Sequence, residues 1–295
     1  MRGTELKNDE RAVAVKNISC LFLGVLLLLF LAQARADAAP QIDVHPKKIG
    51  PGDIVLITVN DPAGVVQGTW SNKKLYFNQA KNSSQAIVGI DLNIEPGEYP
   101  LELVIDGKAI HKQVRVSKKK YPVQRLTLPE GMVVLSPENE ARVARDQKKT
   151  AAIWPIDSER IWSGRFVNPL PGKPIGTPFG VRRIINKIPK NSHSGVDVSG
   201  ELGDPVKAPN DGVVVLVDDQ FYSGNSVVLD HGQGIYTMFF HLSRINVKYG
   251  QPVVKGEVIA LVGSTGRSTG AHLHWGVRIQ GAKVDPLQLF NLNVE

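Results

Sequence analysis

Glycine is unevenly distributed along this chain, and its distribution limits what the C-terminal half can fold into. Of the 28 glycines, 18 lie within residues 163–295, among short runs rich in valine and isoleucine. Turn signals such as Asp211-Gly212 separate these runs, a pattern typical of β-strands joined by tight turns. The sequence predicts strands at residues 213–217, 226–229, 237–240, 258–262 and 274–279. The C-terminal half is therefore predicted to be an antiparallel β-domain.

Residues 42–116 carry a second set of β signals. Residues 54–59 are rich in β-branched side chains, and residues 87–92 form another apolar run. Apolar residues alternate over 101–105 and lead into Asp106-Gly107, a dipeptide typical of two-residue hairpins. Several strands within about 80 residues predict a small β-sandwich.

The segment between these two regions is predicted to be a linker with one helix. Ser136 can cap a helix that begins at Pro137, and acidic residues follow in its first turn, where they suit the helix dipole. The helix is predicted to span residues 137–153 and to end before Pro155. Lys118-Lys119-Lys120 indicates a solvated segment. The predicted fold class is mainly β, with a β-sandwich (37–117), a helical linker (118–165) and a Gly-rich antiparallel β-domain (166–295).

The first 36 residues have the pattern of an export signal. A basic segment precedes an apolar stretch over residues 18–32, and Ala34-Arg35-Ala36 is a small-x-small cleavage site. The alternative is an uncleaved anchor, because residues 17–34 carry no charge and approach the roughly 20 residues that span a bilayer. In either case the rest of the chain is predicted to lie in the periplasm or cell envelope, anchored to the inner membrane or secreted.

Charge and cysteine content narrow the classes of partner and metal site. Processing after Ala36 would remove five of the 35 basic residues and three of the 28 acidic residues. The remaining 30 basic and 25 acidic residues lower the net charge from +7 to +5. This mild bias suits an anionic polymer and gives no reason to expect nucleic acid. The single cysteine, Cys20, lies near the start of the apolar stretch of the export segment and not at its end, so neither a disulfide nor a lipid anchor is expected. Any metal site must use His, Asp or Glu.

Five of the seven histidines lie between residues 193 and 274, in motifs with metal-ligand spacing. His193 and Asp197 are four residues apart, and His272 and His274 are two apart. Side chains at i and i+2 of a strand share a face, so the last two are predicted to enter one cleft while Leu273 points to the core. Two histidines and one carboxylate form a zinc shell that leaves a fourth position for water, as in catalytic sites. The sequence therefore predicts a zinc site here.

A larger set of motifs resembles the lysostaphin/LytM-type zinc peptidases, the M23 metallopeptidases that cut peptidoglycan peptides. The similarity extends from about residue 171 to residue 286, with the motifs in matching order, and a weaker one suggests the β-sandwich that often precedes this domain. The motifs are Phe179-Gly180-Val181-Arg182, His193 to Asp197, Val206-Lys207-Ala208, Asp211-Gly212-Val213, Asp230-His231-Gly232, His241-Leu242, Gly266-Arg267-Ser268-Thr269-Gly270 and His272-Leu273-His274-Trp275-Gly276.

The resemblance implies a role for each matched residue. His193, Asp197 and His274 would bind one zinc ion per chain, and His241 and His272 would be an unliganded catalytic pair. A histidine beside the metal can act as the base, because its pKa is near ambient pH and the chain has no HExxH motif. Which of the two is the base stays open.

Four further residues, three of them histidines, are not assigned to the metal site. His231, between Asp230 and Gly232, is predicted to belong to a turn and not to the site. Phe239 stands where many relatives of this type have tyrosine, so a hydroxyl is missing, and the loss is expected to affect substrate contacts more than metal binding. His45 and His111 have no partner histidine nearby and are predicted to lie at the surface.

The leading functional hypothesis is an exported zinc endopeptidase that hydrolyses peptide bonds in peptidoglycan stem peptides or cross-links. The alternative is a catalytically silent domain of the same fold that regulates another cell-wall hydrolase. A wall-binding role, using the positive charge and the lysine-rich linker, is a third reading compatible with the first. The loop at residues 263–270 is glycine-rich, but no GxxxxGK[ST] motif follows, so nucleotide binding is not expected. The bond cleaved and the oligomeric state stay open.

Overall fold

The computed structural model describes residues 40–62, 64–127, 134–189 and 191–292. Gln41–Glu295 form one compact unit. The predicted export segment, residues 1–36, lies outside the described residues. Within the described ranges, no helix combines the length and the apolar character needed to cross a membrane.

The chain is built mainly from strands, as predicted, with one α-helix in the described part, α1 (Pro137–Ala151), and a short 3-10 helix at Pro286–Asn291. The strands are β1 Gln41–His45, β2 Ile54–Asn60, β3 Val66–Trp70, β4 Lys73–Lys74, β5 Phe77–Ala80, β6 Ser83–Gly89, β7 Gly97–Ile105, β8 Lys108–Val116, β9 Val123–Leu126, β10 Arg182–Ile185, β11 Ile188–Pro189, β12 Gly195–Ser199, β13 Pro205–Lys207, β14 Gly212–Gln220, β15 Gly224–Asp230, β16 Ile235–Leu242, β17 Arg244–Ile245, β18 Pro252–Val253, β19 Val258–Leu261, β20 His272–Ile279 and β21 Ala282–Val284.

The N-terminal strands form two four-stranded sheets, in the orders β1-β2-β6-β5 and β4-β3-β7-β8. Alternate residues of each strand face a common apolar core that includes Ile57, Val88, Leu101 and Leu103. β7 and β8 pair up to Ile105 and Lys108, so Asp106-Gly107 is the whole turn, and both of its residues have positive φ. The predicted two-residue hairpin is confirmed.

Helix α1 begins and ends close to the predicted residues and is held by polar contacts. The Ser136 side chain accepts a hydrogen bond from the N–H of Asn139, which satisfies one of the free donors at the N-terminus. None of its residues is buried. Asp146 accepts the N–H of Phe221 (2.8 Å), and Arg142 and Lys149 pair with acidic residues at the end of β14. The linker region also contains β9, which the sequence did not predict and which pairs in parallel with β10.

The C-terminal half is organised around a sheet in the order β12-β20-β16-β15-β14-β18, with β21 also paired to β20. β16 and β20 have buried apolar side chains that include Phe239, Leu273 and Trp275, all inaccessible to solvent. Leu273 points into the core, as predicted from the alternation, while its neighbours in sequence face the opposite side. Gly276 is buried on that side, because the Met238 side chain covers it: a Cβ on this glycine would lie 2.7 Å from Met238 Cε.

The sandwich packs against the C-terminal end of β20. Ile54, Ile87 and Leu92 belong to the same apolar cluster as Ile279 and Ala282, and burying each such side chain contributes about 1.5–3 kcal/mol. Hydrogen bonds join the two parts as well: the Gln288 side chain links to Ile54 and Asp53, and Asp91 accepts the N–H of Lys283. The predicted histidine motif lies at the other end of β20.

Candidate metal centre

Three of the predicted ligands meet where β12 and β20 pair. Asp197 on β12 lies directly opposite His274 on β20. His193 comes two residues before β12, and its backbone is fixed by hydrogen bonds with Gly180 and Val181. Asp197 Oδ1 is 2.9 Å from His193 Nε2 and 2.9 Å from His274 Nδ1, and the two ring nitrogens are 3.0 Å apart. The structure thus brings the three predicted side chains together around one point.

The surroundings of this cluster orient its ring nitrogens. His193 Nδ1 is 2.9 Å from the carbonyl oxygen of Pro178 and must donate to it, so Nε2 presents a lone pair to the cluster. His274 stacks on Phe240, with ring centres 5.4 Å apart and an angle of 6°. On another side it packs on Gly195, where a Cβ would lie 2.6 Å from His274 Nε2. Two imidazole nitrogens and a carboxylate oxygen, held so closely, fit the donor set of a zinc site.

Charge in the cluster is consistent with a cation site. Burial acts to raise the pKa of Asp197, but hydrogen bonds from His193 and His274, when those rings are protonated, outweigh it and hold that pKa well below its ordinary value. Burial lowers the pKa of His274, which favours a neutral ring able to bind metal. Arg183 Nη2 lies 3.7 Å from the second oxygen of Asp197, a contact that the sequence analysis missed although Arg183 directly follows the Phe179–Arg182 motif.

His241 and His272 form a second pair beside the cluster, with ring centres 4.7 Å apart. His241 Nδ1 is 2.8 Å from the carbonyl oxygen of Thr265, and His272 Nδ1 is 2.9 Å from that of Gly270. A carbonyl only accepts, so both Nδ1 atoms donate and both Nε2 atoms keep a lone pair when the rings are neutral. His272 Nε2 is 3.8 Å from Asp197 Oδ1. The glycine-rich loop at residues 263–270 therefore orients both rings.

The environment of His241 differs from that of an ordinary surface histidine. Burial lowers its pKa to about 4, even though the Thr265 carbonyl opposes the shift. Its φ is +63°, a left-handed conformation that is uncommon for non-glycine residues and that clusters at functional sites. Its backbone N–H is tied to Ser223 O at 2.8 Å. The turn between β14 and β15 therefore holds the backbone of His241 in this conformation at an energetic cost.

The remaining histidines lie away from the centre. His231 lies in the turn after β15, as predicted, and is inaccessible to solvent. Its Nδ1 is 2.7 Å from Asp211 O, and its Nε2 is 2.8 Å from Thr237 Oγ1. His45 and His111 are exposed, as predicted. The expectation for Phe239 is wrong: its side chain is fully buried, so an added hydroxyl would enter the core and not the substrate cleft.

Comparison with known proteins gives a consistent result. The family model described as Peptidase family M23 matches residues 191–286. The DD-carboxypeptidase/endopeptidase Mpg of Neisseria meningitidis is 40% identical over 126 residues, which cover 43% of this chain and 29% of that protein. The peptidoglycan DD-endopeptidase ShyA of Vibrio cholerae is 44% identical over 116 residues, which cover 39% of this chain and 27% of that protein. The chain thus spans under a third of the length of these relatives.

One solved structure matches almost the whole described chain. The crystal structure of a putative peptidase M23 from Pseudomonas aeruginosa is 31% identical in sequence to this chain, with a TM-score of 0.67. The match covers 82% of this chain and 95% of that chain. The similarity therefore extends beyond the C-terminal domain and includes most of the sandwich.

Proposed function

The chain belongs to peptidase family M23, and from this we propose that it is an exported zinc-dependent endopeptidase that hydrolyses peptide bonds in peptidoglycan stem peptides or cross-links. The observation that carries the proposal is the convergence of His193, Asp197 and His274 beside two histidines whose Nε2 atoms are not used by the cluster. Relatives named as peptidoglycan endopeptidases support the substrate class.

In this proposal His193 Nε2, Asp197 Oδ1 and His274 Nδ1 would hold one zinc ion. Zinc, when bound, would activate a water molecule and polarise the scissile carbonyl group. The Pro178 carbonyl oxygen orients His193 and the stacking on Phe240 orients His274, so little reorganisation is needed during the reaction. Asp197 stays ionised because its pKa is held low, and it can balance the charge of the cation.

His241 and His272 supply proton transfer. With its pKa lowered to about 4, His241 is neutral at pH 7, and its Nε2 can accept a proton. The Gly270 carbonyl fixes His272 in the same tautomer, so its Nε2 also keeps a lone pair. Whichever ring accepts the proton becomes a cation that can donate a hydrogen bond to the developing oxyanion or pass the proton to the leaving amine.

The test is digestion of purified peptidoglycan by the isolated protein, with the products identified by mass spectrometry. We expect peptide fragments that carry a new amine and a new carboxylate. Release of these fragments should stop when a chelator is added and should recover when zinc is added back. The fragment masses also identify the bond. If the zinc-loaded protein releases no fragments but stimulates another wall hydrolase, the regulatory alternative replaces this proposal.

A further inference from the structure

A cavity of about 390 Å³ opens beside the metal centre, between α1 and the face of the central sheet. His274 and Phe240 line one part of it, and Arg278 and Lys283 line another, with Trp154 and residues of α1 along the wall. The cavity thus connects the reacting centre to two cationic side chains that the proposed mechanism does not use.

The strand geometry makes this cavity a groove. Residues 274, 276 and 278 alternate along β20 and share one face. Met238 lies opposite Gly276, and Phe240 lies opposite His274. Gly276 adds no side chain of its own, and the Met238 side chain covers it, so Met238 forms the floor between the two ends. At about 3.3 Å per residue, Arg278 lies roughly 13 Å along the strand from His274.

Arg278 and Lys283 are placed directly opposite each other on β20 and β21. Like charges at such a position destabilise a sheet. Burial lowers the pKa of Lys283, and the nearby Arg278 lowers it further. Burial also lowers the pKa of Arg278. A pair of this kind is costly unless an anion joins it.

No carboxylate among the described residues forms an ion pair with either cation. Asp91 lies near enough for its charge to oppose the lowering of both pKa values, but its two oxygens accept hydrogen bonds from the backbone N–H groups of Lys283 and Asn93, both at 2.9 Å. The Arg278 guanidinium lies 4.5 Å from the centre of the Trp154 ring and donates once, to Gly281 O. Its Nε has no hydrogen-bond partner.

We propose that Arg278 and Lys283 bind a free carboxylate of the substrate peptide, carried on an extended chain that lies along β20 toward His274. The inference rests on the proposed peptidase function and adds a specificity determinant to it. Arg suits a planar carboxylate because it can donate two parallel hydrogen bonds. An extended peptide spans about 3.3–3.6 Å per residue, so the carboxylate would lie about four residues from the bond that is cut.

Other charges in the groove do not compete for this role. Asp146, the acidic side chain in the lining, accepts the N–H of Phe221 at 2.8 Å and so is turned toward the loop between β14 and β15. His274 belongs to the metal centre. The cationic end of the groove is therefore the part that discriminates between a charged and a neutral substrate group.

The experiment compares two peptides of identical sequence, one with free carboxylates and one with these groups amidated. The ratio of kcat/KM for the free over the amidated peptide is measured for the wild type, Arg278→Gln, Lys283→Gln and Lys248→Gln. Charge-assisted hydrogen bonds predict a ratio of about 10 or more in the wild type. The ratio should fall toward 1 in the first two variants and stay at the wild-type value in Lys248→Gln, an exposed lysine outside the groove.

A binding arm separates failure of this inference from failure of the proposed function. Both peptides are titrated by calorimetry into His272→Ala protein, with and without the groove substitutions. If the wild type cleaves neither peptide, the peptidase proposal fails, while the binding ratio still tests the groove. A wild-type ratio near 1, or one that Lys283→Gln leaves intact in folded protein, overturns the inference. Lys283 is the safer variant, because Arg278 also contacts Trp154 and Gly281.

Discussion

The surroundings of His231 and of His241 are alike in burial and in charge. Both rings are almost wholly buried, and burial lowers the pKa of each to about 4. In both, Nδ1 faces a backbone carbonyl oxygen, of Asp211 in one case and of Thr265 in the other. Burial and pKa therefore do not distinguish the histidine of the candidate metal centre from the histidine of the turn.

The second ring nitrogen separates them. His231 Nε2 is satisfied by Thr237 Oγ1 at 2.8 Å, so this imidazole is fully used in holding a turn to the sheet. In the described part of the chain, His241 Nε2 has no hydrogen-bond partner, and the ring lies beside His272 and His274. A lowered pKa therefore indicates only that a histidine is buried. A ring nitrogen that has no protein partner and faces the metal centre indicates a catalytic role. The predictions below test this distinction, beginning with the largest effect.

Removing a ligand should have the largest effect. We expect His274→Ala to lose bound zinc and to reduce hydrolysis by more than about 10⁴-fold, because the metal supplies several kcal/mol of transition-state stabilisation. Zinc content is measured by atomic spectroscopy and hydrolysis by fragment release. His111→Ala, at the exposed surface, is the matched control. Hydrolysis that persists in zinc-free His274→Ala would contradict the assignment.

Removing either unliganded histidine should leave the metal in place. His241→Ala and His272→Ala are expected to lose about 10²–10⁴-fold in kcat, the usual contribution of general acid–base catalysis. Zinc content should stay near that of the wild type, because neither side chain belongs to the three-ligand cluster. Loss of zinc in either variant would instead place that histidine among the ligands.

The sequence predicted the strands, and it placed the candidate ligands in short motifs, because both inferences depend on local pattern. The alternation around Leu273 defined its two faces, and Asp106-Gly107 defined a hairpin whose two residues both adopt positive φ. The spacing of His193 and Asp197 marked them as candidate metal ligands without any knowledge of the partner strand. Each of these inferences used residues within about four positions of each other.

Longer-range features were not predictable in the same way. Alternation says which face of a strand is apolar but not which strand lies next to it, so the parallel pairing of β9 with β10 was missed. Ile54 and Ile87 read as sandwich residues, yet they join the core of the C-terminal domain. His231 was placed in its turn correctly, but nothing local indicated complete burial or its bond to Thr237.

Acid should weaken the fold through His231. Its folded pKa of about 4 lies below the ordinary 6.5, so between these values the unfolded chain binds more protons and stability falls as the pH falls. The full shift corresponds to about 3 kcal/mol. Urea denaturation at pH 7 and pH 4.5 should show a smaller loss for His231→Gln than for the wild type. Equal losses would contradict this prediction, and His111→Gln serves as the exposed control.

The smallest effect should come from displacing the His274 ring or the His231 ring without replacing either histidine. His274 packs on Gly195, where a Cβ would lie 2.6 Å from Nε2 and 2.5 Å from the carbonyl oxygen of Trp275. His231 packs on Gly212 in the same way, where a Cβ would lie 2.9 Å from Nδ1 and 2.8 Å from the carbonyl oxygen of Asp230. Each pair thus offers a matched substitution.

Gly195→Ala should reduce zinc affinity by about 10–100-fold, because the strand backbone cannot yield and the His274 ring must shift from the ligand position. Gly212→Ala should instead cost about 1–3 kcal/mol of unfolding free energy and leave zinc affinity intact, because it displaces a ring that binds only protein groups. Competition with a chromogenic chelator measures the first quantity and urea denaturation the second. If both alanines weakened zinc binding equally, the two histidines would not differ in the way that their Nε2 partners indicate.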